Sequence, residues 1–516
     1  MRLGIDFGTT RVVVAAADRG NYPVVSFEDG DGVSREWLPP LVAARDGSRR
    51  YGWQAWQVQN SPGWTVIRSL KRYFENAGPQ TLVQIGSDSV PLLQILEEMA
   101  GAIGTALREA SSLPAKGRER LEIILGVPAN ANSNQRYLTV EPFQRAGFQV
   151  LGLSNEPSAA SVEYGHRNRS ATSAEDVLVY DLGGGTFDAS LVHIEGSMHT
   201  VVASEGVSDI GGDDFDLVLS GMVLEAASLR PEELTQAELF RLHEECRSRK
   251  ESLNVNSRRV MVDLGVVREG WREITVPAAA FYEQCRPLVE RTIAATHALG
   301  DNIDTLYVTG GGSELPAVAR ILREVFGRRV KRSAYTRSAT AIGLAIQAES
   351  LATYTLREQF TRHFGVWREL QAGKEICFDV LFEKGTPLPA AGEASIEAVR
   401  TYQARHNIGH FRFLECSHLT SDRKPAGDIA MWDEIRFPFD PSSRDANLPS
   451  LPVSQSPSTE SQTIQERYAC TSSGSVEVQI HNLSAQYSRD YRLGRWASAN
   501  ETVVPGRKRR CRTGGA

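Results

Sequence analysis

The sequence predicts a duplicated, two-lobed α/β domain over residues 1–350, followed by a mostly-β module, and three observations carry that reading. Residues 3–14 read LGIDFGTTRVVV, and residues 178–192 read LVYDLGGGTFDASLV. In each, a short apolar run ends in Asp, a Gly-Thr turn follows, and a second strand-like run leaves the turn. That is the pattern of a β-hairpin with Gly and Thr at its tip. The third observation is residues 305–326, TLYVTGGGSELPAVARILREVF, which read as strand, Gly-Gly-Gly turn and a helix opened by Pro316. In that helix Val318, Ile321, Leu322 and Val325 recur at helical spacing. Glycine lets backbone N–H groups converge into an anion-binding nest, and the Thr hydroxyls add donors. Two such hairpins far apart in one chain imply a duplicated fold with a nucleotide's phosphates clamped between the lobes. Neither GxxxxGK[ST] nor a strand-GxGxxG-helix unit occurs, so the P-loop and dinucleotide fingerprints are excluded.

The elements follow in order. After the first hairpin come an amphipathic pattern around 92–110, a helix at 132–146, and a strand-like run that ends at SNEPSAASVEYG (154–165) and its small-residue helix. The second hairpin, a long polar helix at 232–253 and the Gly-Gly-Gly unit complete the first domain. After about residue 360 the helices thin out. ICFDVLF (376–382), HFRFLEC (410–416), EIRFPF (434–439) and VEVQI (476–480) alternate and read as strands of an all-β module. The expected partition is a nucleotide-binding domain at 1–350, a linker at 351–365 and a β-sandwich at 366–500. The Pro/Ser-rich stretch 441–462 reads as a mobile loop within that sandwich. Residues 501–516, with Arg507, Lys508, Arg509 and Arg510, read as a basic, disordered, solvated tail.

Composition narrows the function classes. The 516 residues suffice for several domains, each with its own core. Charged residues are 23% and apolar ones 41%, an ordinary globular balance, and a net charge of −6 gives no reason to expect nucleic acid as the partner. No apolar run reaches membrane-helix length, and Met1-Arg2 leads straight into the first strand, so neither membrane attachment nor a signal peptide is expected. Six cysteines without a CxxC pair indicate neither a zinc site nor a disulfide framework. A cytoplasmic protein is the expectation.

Phosphoryl transfer needs positioning and charge stabilisation more than covalent chemistry. Asp6 and Asp181, one from each hairpin, are placed to hold Mg²⁺ directly or through its waters. Thr9, Thr10 and Thr186, with the N–H groups of Gly183, Gly184 and Gly185, suit the β- and γ-phosphates. Glu156, between a strand-like run and a helix, is the candidate carboxylate to orient or activate water. Lys71, in VIRSLKRYF (66–74), is a candidate fixed positive charge, although a Lys beside an Arg is ordinarily a surface residue.

The order of DFGTT (6–10), SLKRYF (69–74), GVPANANSNQR (126–136), SNEPSAASVEYG (154–165), YDLGGGTFDASLV (180–192), IGGDDFD (210–216), RSRKESL (247–253), VTGGGSELP (308–316) and ATAIGLAIQA (339–348) closely resembles the 70-kDa heat-shock protein (DnaK-type chaperone) family. The resemblance implies an actin-like, two-lobed ATPase, with ATP or ADP, Mg²⁺ and K⁺ as cofactors. By it Lys71, Glu156, Asp181 and Thr186 become catalytic candidates, and Asp6, Asp181 and Asp188 fall on metal positions. Gly8, Thr9, Gly211, Gly212, Lys250, Gly310, Gly311 and Gly312 fall on nucleotide-cleft positions, and Arg136 where J-domain and linker contacts converge. KGTPLP (384–389) and ERYACTSSGSVEVQI (466–480) resemble parts of the family's substrate-binding β-sandwich more weakly. The implied partners are unfolded or extended polypeptide, a J-domain co-chaperone and a nucleotide-exchange factor.

The chain also departs from the family pattern. The positions of the two arginines that hold adenine are Glu251 and Glu314, the acidic position before ATAIGLAIQA is Arg337, and the Tyr after the first Thr-Thr is Arg11. A carboxylate does not stack on a purine as a guanidinium does. Arg247 either substitutes or is the i,i+4 partner of Glu251. The acidic, leucine-rich linker is replaced by SLATYTLREQF (350–360), and no long helical segment follows the β-region, so a divergent, lidless member is expected. Three functions fit: a chaperone that couples slow ATP hydrolysis to polypeptide binding, an actin-like regulatory or scaffold ATPase with one dedicated protein partner, and a small-molecule kinase of the same superfamily.

Overall fold

The computed structural model describes residues 1–75, 77–113, 119–168, 174–349, 354–370, 375–389, 393–455, 459–471 and 474–493. The basic tail 501–516 and residues 351–353 of the expected linker lie outside the described residues. The chain divides into two compact units: Met1–His363 with Phe382–Ile396 and Thr471–Gly474, and Phe364–Leu381 with Glu397–Cys470 and the residues from Ser475 onward.

The first unit holds two sheets built to one plan. In each, a β-hairpin pairs antiparallel and its first strand takes a parallel neighbour. In the first sheet Arg2–Phe7 pairs with Val12–Ala16 and runs parallel to Glu122–Val127, which runs parallel to Gln149–Asn155. In the second, Glu175–Leu182 pairs with Phe187–Glu195 and runs parallel to Thr305–Thr309, which runs parallel to Val330–Arg332. The outermost parallel strand of each sheet is followed by a helix of small residues, Glu156–Arg167 and Ala339–Glu349. Both helices are buried on every side, which only small side chains allow at so close a crossing. Polar and amphipathic helices cover the outer faces, Leu92–Glu109 and Ser133–Arg145 on the first lobe and Gln236–Glu251 and Ala278–His297 on the second. In the helix Pro316–Phe326 the expected stripe holds for Val318, Ile321 and Leu322, which are buried, whereas Val325 stands exposed.

His199 is a buried feature without a motif. It lies on the strand Met198–Val207, fully enclosed, with Nδ1 3.2 Å from the Ser161 hydroxyl and its ring against Gly165. Burial holds its pKa down to about 4. The unfolded imidazole titrates near 6.5, so its contribution is complete above that pH and is lost as pH falls toward 4. Urea midpoints between pH 7 and pH 4 are therefore expected to fall by up to about 3 kcal/mol in stability, and His199→Asn is expected to flatten that fall. A pH profile unchanged by the substitution would exclude His199 as its source.

The segment expected as a linker is part of the first unit. Thr355–Arg357 adds a parallel strand to Met198–Val207 at the edge of the second sheet. Next to it Glu358 is half-buried, accepting hydrogen bonds from the Asn155 N–H at 2.9 Å, the Ser154 hydroxyl at 3.2 Å and the Asn155 amide. Burial raises the Glu358 pKa, opposed by the Asn155 N–H and the positive charge of Arg136. KGTPLP likewise sits with the first unit, where Lys384 pairs with Glu205 at 2.9 Å.

The second unit is a β-sandwich. One sheet contains His363–Leu370, Glu375–Phe382, Ile408–Leu419 and Pro425–Pro438, and the other Ile396–Gln403, Thr463–Cys470, Val476–Asn482 and Tyr487–Leu493. Its core combines stacked aromatics, Phe364 on Phe413 and Trp432, with a buried ionic cluster. Arg368 donates to both Glu466 oxygens at 3.0 and 2.6 Å and to Asp379 at 2.6 Å, and Arg400 also holds Asp379. The Pro/Ser stretch that composition reads as mobile is anchored over much of its length: Arg436 donates to the carbonyls of Leu448, Pro449 and Leu451, and Leu448 is buried. Residues 456–458 of that stretch lie outside the described residues. No described helix is long and apolar enough to cross a membrane.

Candidate active site

The two hairpin tips close in the same way. Gly8 N–H donates to the Arg11 carbonyl at 3.1 Å, and Gly183 N–H donates to the Thr186 carbonyl at 2.9 Å. The tips face one another, since a side chain on Gly184 would meet Thr10 and one on Gly185 would meet Thr9. The loop before the helix Gly212–Ala226 backs the second tip: Gly212 N–H donates to the Gly183 carbonyl at 2.9 Å and Asp213 N–H to that of Gly184 at 2.8 Å. The third glycine cluster closes the floor. Gly310 has a φ of 82°, and any Cβ there would collide with the Leu182 carbonyl and the Asp181 carboxylate, so only glycine fits.

One cleft collects almost every residue singled out in the sequence. Asp6, Gly8, Thr9, Thr10, Lys71, Glu156, Asp181, Gly183, Gly184, Thr186, Asp188, Gly212, Lys250 and Gly310–Gly312 line it. Gly185 and Gly211 lie just behind, as backbone of the second tip and its supporting loop. Lys250 is engaged with Asp216 at 2.7 Å and the Gly212 carbonyl at 2.5 Å, so in this arrangement it braces the loop.

The electrostatics are lopsided. Asp6, Asp181, Asp188 and Glu156 surround one ammonium, Lys71, which is ion-paired to Glu156. Burial, reinforced by Glu156, pushes Asp6 to about 7 against the pull of Lys71. Burial and Glu156 likewise push Asp188 to about 7, opposed by a hydrogen bond from Ala129 N–H. Asp181 is raised well above the ordinary carboxylate range, by burial and then by its three carboxylate neighbours. Burial works against the Lys71 charge, but Glu156, Asp6 and Asp188 outweigh it and keep its pKa above the ordinary value. So many carboxylates in a buried space are stabilised by a cation. Among the described residues no three His, Cys, Asp or Glu side chains form a ready-made cage. The donor set is all carboxylate oxygen, which fits an oxygen-seeking ion such as Mg²⁺.

Beyond the phosphate end lies a network that sequence reasoning foresaw only in part. Arg247 donates to Glu251 at 3.2 Å, the i,i+4 pairing expected of it. Glu251 also takes Arg11 at 2.5 Å and lies 3.6 Å from Arg337, while Arg337 Nε donates to Glu314 at 2.8 Å. The two glutamates and the arginine at 337 thus pair with one another. Residues not singled out as site candidates latch the lobes: Ser69 donates to Asp213 at 2.7 Å, Arg72 to Asp214 at 2.7 Å, and Arg68 pairs with Glu244. The Asp pair in IGGDDFD, opening a helix, was the available clue, but nothing local points to its partners on residues 68–72.

Comparison with known proteins agrees with this geometry. The family model described as Hsp70 protein matches residues 2–360. The chain is 30% identical over 375 residues to the chaperone protein HscA homolog of Herminiimonas arsenicoxydans, covering 68% of this chain and 58% of that protein. It is 32% identical over 376 residues to the HscA homolog of Azoarcus sp. (strain BH72), covering 68% and 58%. To the chaperone protein HscA of Proteus mirabilis (strain HI4320) it is 30% identical over 377 residues, covering 67% and 58%. The chain thus matches a little over half the length of these relatives.

Proposed function

The chain belongs to the Hsp70 family, and from that premise we propose that its two-lobed unit is a slow ATPase whose nucleotide state governs capture of extended polypeptide by the β-sandwich. The observation that carries this reading is the pair of facing Gly-Thr tips with four carboxylates and one ammonium between them. In it the turn N–H groups and Thr9, Thr10 and Thr186 bind phosphate oxygens. Asp6, Asp181 and Asp188 would hold Mg²⁺. That ion, when bound, offsets the charge of the β- and γ-phosphates. K⁺ as a second ion rests on the resemblance alone. Glu156 orients the attacking water, and Lys71, fixed by Glu156, offsets charge that develops on the γ-phosphate. Ile429 and Met431, half-exposed on one strand of the sandwich, offer apolar contacts to a peptide. Cys246, Cys285 and Cys377 are free thiols, which suits a reducing compartment, and we place the protein in the cytoplasm. A J-domain partner would meet the surface near Arg136, which holds Asn155 at 3.0 Å beside Glu358, and a nucleotide-exchange factor would act on the two lobes.

The test is ATP turnover by the full-length protein with and without an extended apolar peptide. Slow turnover that rises with peptide supports the reading; turnover indifferent to peptide removes the coupling, and no turnover removes the ATPase. Thr186→Ala is expected to slow hydrolysis by roughly 10- to 100-fold with ATP affinity within a few fold, because it deletes a donor that matters most in the transition state. Equal single-turnover rates would remove Thr186 from the mechanism.

A further inference from the structure

Two arginines of the β-sandwich are held by neutral groups. Arg436, on the strand Pro425–Pro438, directs Nη1 at the carbonyls of Leu448, Pro449 and Leu451, at 3.0, 3.3 and 3.1 Å. Arg489, on the strand Tyr487–Leu493, donates through Nη2 to the Arg444 carbonyl at 2.5 Å. Both strands are sheet edges. Tyr491 and Tyr487, at the alternate positions on either side of Arg489, join them by donating to the carbonyls of Arg436 at 3.1 Å and Pro438 at 2.6 Å. Carbonyls fix a guanidinium without cancelling its charge, and these contacts occupy one nitrogen of each. Among the described residues neither guanidinium lies within ion-pair distance of a carboxylate.

The two guanidiniums line one pocket of about 440 Å³, walled by Asn447, Leu448 and Pro449 of the loop they hold. Its one carboxylate, Glu434, is engaged by the His410 ring. On the neighbouring strand His410, Arg412 and Leu414 alternate, and they oppose Arg436, Glu434 and Met431. Directly opposed residues share a face, so half-exposed Met431 and Arg436 present to the same side of the sheet. A fixed guanidinium takes a planar carboxylate through two parallel N–H groups. A lone oxyanion would fill little of this space, whereas the apolar wall and Met431 suit chain on either side of the charge.

We propose that this pocket binds an aspartate or glutamate side chain of a polypeptide held on the sandwich, so that the second unit selects segments in which an acidic residue accompanies apolar ones. The inference rests on the polypeptide-capture reading of the sandwich. It adds a charge preference to that reading and assigns it to Arg436 and Arg489.

The experiment measures, by fluorescence anisotropy on the full-length protein, two labelled, end-blocked apolar peptides that differ only in carrying Glu or Gln at one central position. The parent is expected to bind the Glu peptide about tenfold more tightly, by a margin that shrinks as salt is raised. Arg489→Gln removes the charge while leaving a donor for the Arg444 carbonyl, and is expected to bring the two peptides within about twofold of each other. Arg489→Lys, which keeps the charge but not the fork, is expected between them. Urea midpoints of both variants report that they are folded. Equal binding of the two peptides by the parent overturns the acidic pocket and leaves polypeptide capture standing. A full preference that survives in both variants overturns its assignment to this pocket. Failure of either peptide to bind the parent overturns polypeptide capture and the pocket with it.

Discussion

Replacing Lys71 by methionine is expected to cut single-turnover hydrolysis by roughly 10²- to 10⁴-fold while ATP still binds. The side chain is buried and ion-paired to Glu156, and its ammonium is the charge that offsets Asp6, Asp181, Asp188 and Glu156. Methionine keeps the length and apolar stem but removes the charge, so packing changes little and the electrostatics change greatly. The same substitution has a second, separable signature. With its cation gone, the carboxylate cluster is left uncompensated, and the cation-free protein should lose on the order of 3 kcal/mol of stability. Mg²⁺ with nucleotide should restore most of it, because the ion supplies the missing positive charge. A variant that hydrolyses within about threefold of the parent would show that Lys71 is structural only. A variant destabilised equally with and without Mg²⁺-nucleotide would show that the loss is one of packing.

Gly343 carries the largest expected effect on folding. It sits in the helix Ala339–Glu349 where that helix crosses Glu156–Arg167, and a Cβ there would collide with the Ala159 carbonyl. The obstacle is backbone, which cannot rotate aside as a side chain would. Gly343→Val is expected to cost 4 kcal/mol or more, roughly the most that a single core substitution does, and Gly343→Ala about half of that. Urea midpoints of the two variants check the order. If Gly343→Ala matched the parent, the helices would not be in backbone contact. Glu156 begins the partner helix, so a folded but wedged Gly343→Ala should also lose turnover.

The parts of the site that were legible share one property: each is encoded within a few consecutive residues. The Asp-Gly-Thr hairpins need a turn that permits convergent N–H groups, and only Gly with small polar neighbours supplies it. The strand–Gly-Gly-Gly–helix unit is likewise local, and so are the pairing of Arg247 with Glu251 and the helix that starts at Glu156. Where expectation and structure parted, the deciding partner was distant in sequence. Residues 354–358 read as linker because their composition is polar and lacks a turn-and-strand rhythm, yet they complete a sheet edge and bond Glu358 to Asn155. The Pro/Ser stretch read as loose because nothing local shows that Arg436 collects three of its carbonyls. The stripe on Pro316–Phe326 was drawn one residue too wide, since spacing does not say where the covered surface ends and Val325 falls beyond it.

By itself the sequence determined that this chain would fold as two like lobes with a cleft between the two Gly-Thr tips, and it named most of the residues that line that cleft. Backbone conformation at Gly, Thr and Pro is a short-range property, so short motifs carry it intact. Only the tertiary structure decided which charges meet: Lys71 with Glu156, Arg337 with Glu314 and Glu251, and Ser69 and Arg72 with the Asp pair at 213 and 214. A charged or aromatic side chain has many compatible partners, and its choice among them is made by the approach of whole elements, which no short stretch of sequence encodes.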